Sequence, residues 1–452
     1  MYKIISLIKI IFINIVFLIA TMDRDNIIDY FNEYSGLKPN ILDRELEVPT
    51  DSKFIISLFG PRRAGKTFYF FQLEKTLEKP FYLNFEDSRL YSIKANEIRD
   101  IIRIYIENFG AEPRNIMFDE IQNVAGWESI VRELYDVKKY GIFITGSSSK
   151  LMSSEIATQL RGRSLSYLML PFSFREFLTA KKIMPGKYHT KDDEAKLRKL
   201  LSEYLEFGGF PEVVLNEDKI KILKEYSELA LFRDFIERHK AKNMGLARYL
   251  HETMIQNFSK EASIRSFFEK AKSSGIKISN NTVYDYIDKL RDTSLFFFIN
   301  RYSKKPHLRA SWPKKIYIAD TGLSKTQRFS EDKGRLLENA VFLEFLRRKN
   351  ANPLLDIYYF SEHDVEIDFL LKSADKVIQL VQVTYELTDK NYRREVMHLI
   401  KVSKEVKCRN LLILTWNDER IIQESGATVK AMPLWKWLLT KEPPERLLAK
   451  VF

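Results

Sequence analysis

An apolar run, Phe54-Ile55-Ile56-Ser57-Leu58-Phe59, passes without a break into Gly60-Pro61-Arg62-Arg63-Ala64-Gly65-Lys66-Thr67. The run has the length and composition of a strand buried on both faces, and the octapeptide has the spacing of a phosphate-binding loop opening a helix. Gly60 and Gly65 permit a tight turn, so that successive backbone N–H groups and the start of the next helix converge on an anion. Lys66 adds a point charge for the β and γ oxygens, and Thr67 is placed to ligate Mg²⁺. The expected ligand is ATP with Mg²⁺, held by Gly60, Pro61, Arg62, Arg63, Ala64, Gly65, Lys66 and Thr67. A chance Gly-rich turn before a helix is the competing reading, and the aromatic helix start Phe68-Tyr69-Phe70-Phe71 weighs against it.

A second motif points the same way. Asn115-Ile116-Met117-Phe118-Asp119-Glu120 reads as an apolar strand ending in two carboxylates. Asp119 would hold the metal through water, and Glu120 would orient and polarise the attacking water. Because Phe81-Tyr82-Leu83-Asn84-Phe85-Glu86 is a further strand between the two motifs, the acidic strand is not the second in sequence. A helix from Trp127 to Lys139, with Ile130, Val131, Leu134 and Val137 on one face, leads to the strand Gly141–Ser147. Its polar end would lie beside the nucleotide, where Thr145 or Ser147 could contact the γ-phosphate, or would simply turn the chain and cap the next helix. Leu160-Arg161-Gly162-Arg163 supplies a candidate arginine finger, Arg163 first, against the plainer reading of surface ion pairs. Phe207-Gly208-Gly209-Phe210-Pro211-Glu212 reads as a hinge in a helical lid.

The chain has 452 residues, enough for about three domains. Its 73 Lys and Arg against 61 Asp and Glu give a net charge of +12, which fits polyanion contact and also an ordinary solvated surface. The single cysteine, Cys408, excludes an internal disulfide and a multi-cysteine zinc site, and no His pair has metal spacing. A cytoplasmic location is expected. Residues 1–21 are apolar from Ile10 to Ala20 except for Asn14, a pattern that is too short for a comfortable membrane span, so translation from Met22 is favoured over an anchor and membrane association is not expected.

From about Leu246 two short amphipathic helices, the second capped by Ser279, and a strand pair predict a winged helix-turn-helix. Arg301, Lys304, Lys305, Arg309, Lys314 and Lys315, interleaved with Tyr302 and Trp312, would form a wing suited to DNA phosphates. Asp285 and Asp288 on the outer side of the second helix argue against tight base reading, and packing against protein is the alternative. Farther on, an amphipathic helix from Leu337 is followed by three strands. Glu366 and Asp368, two apart on one strand, share a face on which, with Glu338, they could bind a hard divalent ion.

Gly60 to Thr67, Asn84-Phe85-Glu86-Asp87, Asp119-Glu120-Ile121-Gln122, Thr145-Gly146-Ser147, Leu160-Arg161-Gly162-Arg163 and Gly208-Gly209-Phe210-Pro211 together resemble the archaeal-type ATPases of the AAA+ P-loop superfamily. The resemblance implies ATP hydrolysis, with Lys66, Thr67, Asp119 and Glu120 in the nucleotide machinery and Arg161 or Arg163 as the finger. It gives Glu86 and Asp87 no role. The last part of the chain resembles the PD-(D/E)XK nuclease-like domain often fused behind such ATPases. It departs from that pattern where a Glu-x-Lys is expected, since Gln382-Val383-Thr384 stands there. Glu338, Asp368 and Gln382 would be the remaining metal ligands, with cleavage activity expected to be lost.

The expected fold is α/β: an ATPase domain with a parallel sheet and helical lid over 22–245, a winged-helix domain over 246–330 and a restriction-endonuclease-like α/β domain over 331–452. The expected function is Mg²⁺-dependent ATP hydrolysis coupled to DNA binding, with a homo-oligomer possible. The alternatives are a slow ATP switch that recruits protein partners, and an ATP-gated nuclease.

Overall fold

The computed structural model describes residues 23–37, 39–91, 93–147, 160–184, 186, 190–276, 278–305, 307, 313–327 and 332–440. The apolar leader, Arg309 and Trp312 lie outside the described residues.

After helix α1 (Arg24–Gly36), the first layer is built on β1 (Ile55–Phe59), every residue of which is buried. It is followed by α2 (Lys66–Glu74), β2 (Pro80–Asn84), α3 (Ile98–Phe109), β3 (Asn115–Asp119), α4 (Trp127–Asp136), β4 (Gly141–Gly146) and β5 (Ser164–Leu168). The strands form one sheet in the order β2-β3-β4-β1-β5, and all four pairings are parallel. The carboxyl ends of β1, β3 and β4 therefore lie side by side, which is where a ligand of an open parallel sheet sits. Isoleucine and phenylalanine fill both faces. One face packs on α2 through Tyr69, Phe70 and Leu73, the other on α1, α3 and α4. Helix α4 buries Ile130, Val131 and Leu134 as its periodicity requires, but it ends at Asp136, and Val137 is 59% exposed.

Helices α5 (Phe174–Ala180), α6 (Lys191–Phe207), α7 (Pro211–Leu215) and α8 (Lys219–Leu229) come next, and a π-helical stretch (Ala230–Glu237) extends α8. Ser173 and Thr190 close capping boxes with Glu176 and Asp193, which fixes where α5 and α6 begin. The expected hinge at Gly208-Gly209 is instead a close-packed joint. A Cβ on Gly208 would lie 1.5 Å from Asp320 Oδ1, and one on Gly209 would lie 2.4 Å from the Phe172 carbonyl oxygen. Pro211 starts α7, where its missing N–H costs nothing.

The middle unit has α9 (Met244–Gln256), β6 (Lys260–Ala262), α10 (Ile264–Ser273), α11 (Asn280–Arg291), β7 (Phe296–Arg301) and β8 (Lys314–Ile318). Ser263 and Ser279 accept the N–H groups of Ser266 and Thr282 and so cap α10 and α11. Strand β8 pairs antiparallel with both β6 and β7. Beyond it lie α12 (Lys333–Ala351), β9 (Leu355–Glu362), β10 (Val365–Ser373), β11 (Lys376–Val383), α13 (His398–Val406), β12 (Leu411–Thr415), β13 (Arg420–Glu424), β14 (Ala427–Pro433) and α14 (Leu434–Leu439). Parallel pairing of Asn300 with Tyr358 and of Arg301 with Tyr359 joins β7 to β9, so the middle and last units share one nine-stranded sheet. Helix α12 lies on one face of it and α13 on the other. Among the described residues no helix is long and apolar enough to cross a membrane.

Candidate functional site

The loop between β1 and α2 bends under the end of β5. A Cβ at position 60 would fall 2.0 Å from the Met169 carbonyl oxygen, so glycine is required there by contact. Gly65 is in the left-handed region at φ 96° and caps α2, so the first turn of that helix faces the loop. Arg44, outside the loop, braces it from behind. Its guanidinium donates to the carbonyl oxygens of Ala64 and Leu170, each at 2.7 Å, and pairs with Glu176 at 2.9 Å, with both side chains less than 10% exposed.

The two motifs meet at the strand ends. Thr67 Oγ1 donates to Asp119 Oδ2 at 2.6 Å, and Tyr82 Oη donates to the same oxygen at 2.8 Å. Lys66, buried, donates to the carbonyl oxygens of Gly60 (3.3 Å) and Pro61 (3.2 Å), and its ammonium is 3.5 Å from Glu120 Oε1. Burial, with the charge of Glu120 beside it, raises the pKa of Asp119 against the hydrogen bonds of Thr145, Thr67 and Tyr82. For Glu120 burial acts in the same direction, but Lys66 and Arg62 outweigh it and hold the carboxyl below its usual range. Glu120 is also in the left-handed region, at φ 52°, a costly backbone state for a non-glycine residue and one that concentrates at functional sites.

At the end of β4, Thr145 Oγ1 donates to Asp119 and accepts the Glu120 N–H at 3.0 Å, while the Ser147 N–H donates to Glu120 Oε2 at 3.2 Å. Both residues are therefore tied to the acidic pair. Arg62 of the loop pairs with Glu86 at 2.6 Å and with Asp234 at 3.4 Å, which gives Glu86 a partner the sequence did not suggest. Asp87 pairs with Arg89 at 2.8 Å. Arg63 lies 3.6 Å from Glu212.

Arg163 does not reach this site within its own chain. Ser164 is in register with Ile55, the first residue of β1, whereas the loop follows the last, so Arg163 lies at the opposite end of the sheet, about 16 Å away at the usual rise per strand residue. It pairs there with Asp136 at 3.2 Å. An arginine that does reach the site is Arg238, at the end of the π-helical stretch, which donates to Ser147 Oγ and Asp234 Oδ1, each at 3.2 Å. Its Nη1 is buried and has no hydrogen-bond partner among the described residues. No local signal marks Arg238 in the sequence, since its role depends on the lid folding back over β4.

A second cluster lies in the shared sheet. Lys315 Nζ is 3.2 Å from Glu338 Oε1, 3.0 Å from Asp368 Oδ1 and 2.8 Å from Glu366 Oε1. Gln382 is adjacent, accepting the Asp368 N–H at 3.2 Å, and the Val383 N–H donates to Asp368 Oδ2 at 2.9 Å. The structure thus brings Glu338, Asp368 and Gln382 together around an ammonium. Among the described residues no group of three or more His, Cys, Asp or Glu is arranged to hold a metal ion. Lys315 is accordingly withdrawn from the basic wing, being 2% exposed. Lys304 and Lys305 of that wing are exposed, and Tyr302 packs edge-on to Tyr358. On the outer side of α11, Lys289 and Arg291 are paired with Asp285 (2.7 Å) and Asp288 (3.4 Å).

Residues 52–178 match the family model described as an AAA domain, while residues 198–332 and 333–437 match two domains of unknown function, DUF8612 and DUF4143. The chain is 38% identical over 414 residues to the uncharacterized protein MJ1544 of Methanocaldococcus jannaschii, covering 89% of this chain and 92% of that one. It is 30% identical over 365 residues to an uncharacterized protein of Haemophilus influenzae, covering 78% and 87%. Among solved structures, the Walker-type ATPase PABY2304 of Pyrococcus abyssi aligns at 15% identity and a TM-score of 0.40, covering 68% of this chain and 96% of that one.

Proposed function

Because this chain belongs to the same family as MJ1544 of Methanocaldococcus jannaschii and its residues 52–178 form an AAA domain, we propose that it is a Mg²⁺-dependent ATP hydrolase whose nucleotide cycle acts on DNA through its middle and last units. The observation that carries the reading is the meeting of Thr67 with Asp119 and of Lys66 with Glu120 at the end of one parallel sheet. The donor set fits the metal and the nucleotide. A hydroxyl and a carboxylate, 2.6 Å apart, suit an octahedral ion that keeps several waters, and loop amides with one ammonium suit a triphosphate.

In this reading the amides from Arg62 to Thr67 bind the phosphates, and Lys66 leaves the carbonyl oxygens of Gly60 and Pro61 for the β and γ oxygens. Thr67 and Asp119 are the residues that would hold Mg²⁺, which when bound neutralises charge on the leaving phosphate. Glu120, kept ionised, orients the attacking water, and Ser147 N–H fixes the rotamer of that carboxylate. Arg238 brings the lid onto the γ-phosphate side, while Arg163, at the far end of the sheet, would serve only a neighbouring subunit of a homo-oligomer. DNA would meet the exposed Lys304 and Lys305 beside the helix pair α10 and α11, a winged-helix arrangement.

A second reading, a slow switch that recruits protein partners, is favoured by the ion pairs on α11. With Lys289 and Arg291 neutralised, that face offers little to phosphates. ATP turnover by the full chain, with and without duplex DNA and at low and high salt, separates the two. Stimulation by DNA that fades with salt supports the first, and indifference to DNA supports the second. Turnover unchanged in Lys66→Ala would sink both.

A further inference from the structure

The last unit's resemblance to nucleases implies a divalent ion at Glu338, Asp368 and Gln382, and the residues present do not fit one. We propose that the Lys315 ammonium, delivered from the middle unit, permanently takes the place of that ion. It is the resident cation of the pocket, so the C-terminal unit works without a divalent metal there.

The geometry is that of a cation centred among its ligands. Three carboxylate oxygens from two elements, α12 and β10, surround Nζ at 2.8 to 3.2 Å, distances of charge-assisted hydrogen bonds. Two of the acids carry further hydrogen bonds. Tyr317 Oη donates to Glu338 Oε1 at 2.7 Å and the Val383 N–H donates to Asp368 Oδ2. The Gln382 amide oxygen, which a metal would need, accepts the Asp368 N–H instead.

Nor is the lysine free to leave. Its strand is paired on both sides, with Glu261 and Ile299 as register partners of Lys315, so the root of the side chain is fixed. The ammonium also lies 5.9 Å from the centre of the Tyr359 ring. A metal that displaced it would leave a charged amine buried without partners, a state that folded proteins avoid.

This inference does not depend on the ATPase reading, and its test uses no nucleotide. Nucleotide-free full-length protein is titrated with Mn²⁺, and bound ion is counted from the loss of the free-ion paramagnetic resonance signal. Wild type and Asp368→Asn are expected to match, with no bound ion that depends on Asp368. Lys315→Met, which keeps the length and removes the charge, is expected to gain one Mn²⁺ per chain that a second change, Asp368→Asn, removes. A wild-type Mn²⁺ site lost in Asp368→Asn would overturn the proposal, and so would a folded Lys315→Met that gains none. If Lys315→Met does not fold, the comparison of wild type with Asp368→Asn decides alone.

Discussion

Asp320 Oδ2 accepts the backbone N–H of Gly209 at 2.6 Å, and Oδ1 of the same carboxylate accepts that of Gly322 at 2.9 Å. One carboxylate, 111 residues from the glycine pair, thus fastens the lid to the segment after β8. The contact leaves no room for a side chain at position 208. Gly208→Ala is expected to lose more than about 3 kcal/mol of stability in urea unfolding, because it adds a buried clash to an unfavourable φ. Gly275→Ala is the matched control. Gly275 has φ +81° as well, but among the described residues beyond its chain neighbours no atom lies within 4 Å of its Cβ position, so only a loss of about 1 kcal/mol is expected.

Lys66 and Glu120 should separate binding from chemistry. Lys66→Ala removes the charge facing the phosphates and is expected to abolish ATP retention in equilibrium dialysis. Glu120→Gln keeps the shape and the contact with the Ser147 N–H, so ATP should still bind while turnover falls by about 100-fold or more. Equal loss of both properties in the two variants would contradict the assignment.

The two arginines at opposite ends of the sheet make different predictions. Arg238→Ala should raise KM for ATP at every protein concentration, since Arg238 contacts Ser147 within one chain. Arg163→Ala should leave ATP affinity unchanged and lower turnover only where wild-type turnover rises with protein concentration. Mixing Arg163→Ala with Lys66→Ala, each defective alone, would then restore activity if one chain lends its arginine to another.

His251 is buried, its Nε2 is 2.9 Å from Ser227 Oγ, and burial pushes its pKa down to about 4. The unfolded chain takes up a proton near pH 6.5 while the folded chain stays neutral until about pH 4. Stability is therefore complete above pH 6.5 and lost as pH falls through this window, by on the order of 3 kcal/mol in total. His251→Gln should flatten that part of the pH profile. Urea midpoints at pH 7.5 and 4.5 for both proteins provide the check.

The first layer was legible in the sequence because its signals are local. The buried strand before Gly60 and the acidic pair closing the next motif each occupy fewer than ten consecutive residues and specify their own geometry, as does the Ser279 cap in the middle unit. Where the sequence misled, the deciding contact came from far away. The Gly208-Gly209 pair looked like a hinge because its packing partner, Asp320, is remote. Arg163 is a different case: it precedes β5 and so lies at the amino end of a parallel strand, where a finger role needs a neighbouring chain. The cation beside the acids is Lys315, 69 positions before the Thr384 that stands where a lysine was expected, and only the pairing of β8 beside β7, and of β7 beside β9, brings it there. Arg44 and Arg238 escaped notice for the same reason.

The pairing of Asn300 with Tyr358 has a practical consequence. A chain cut between the middle and last units would leave two raw strand margins, β7 on one fragment and β9 on the other, each exposing amides and carbonyls that normally satisfy one another. Such margins stick to any neighbouring strand, so fragments chosen by family boundaries should clump, and co-expression of both halves should rescue them. The whole slab must then travel as one piece whenever the lid moves it.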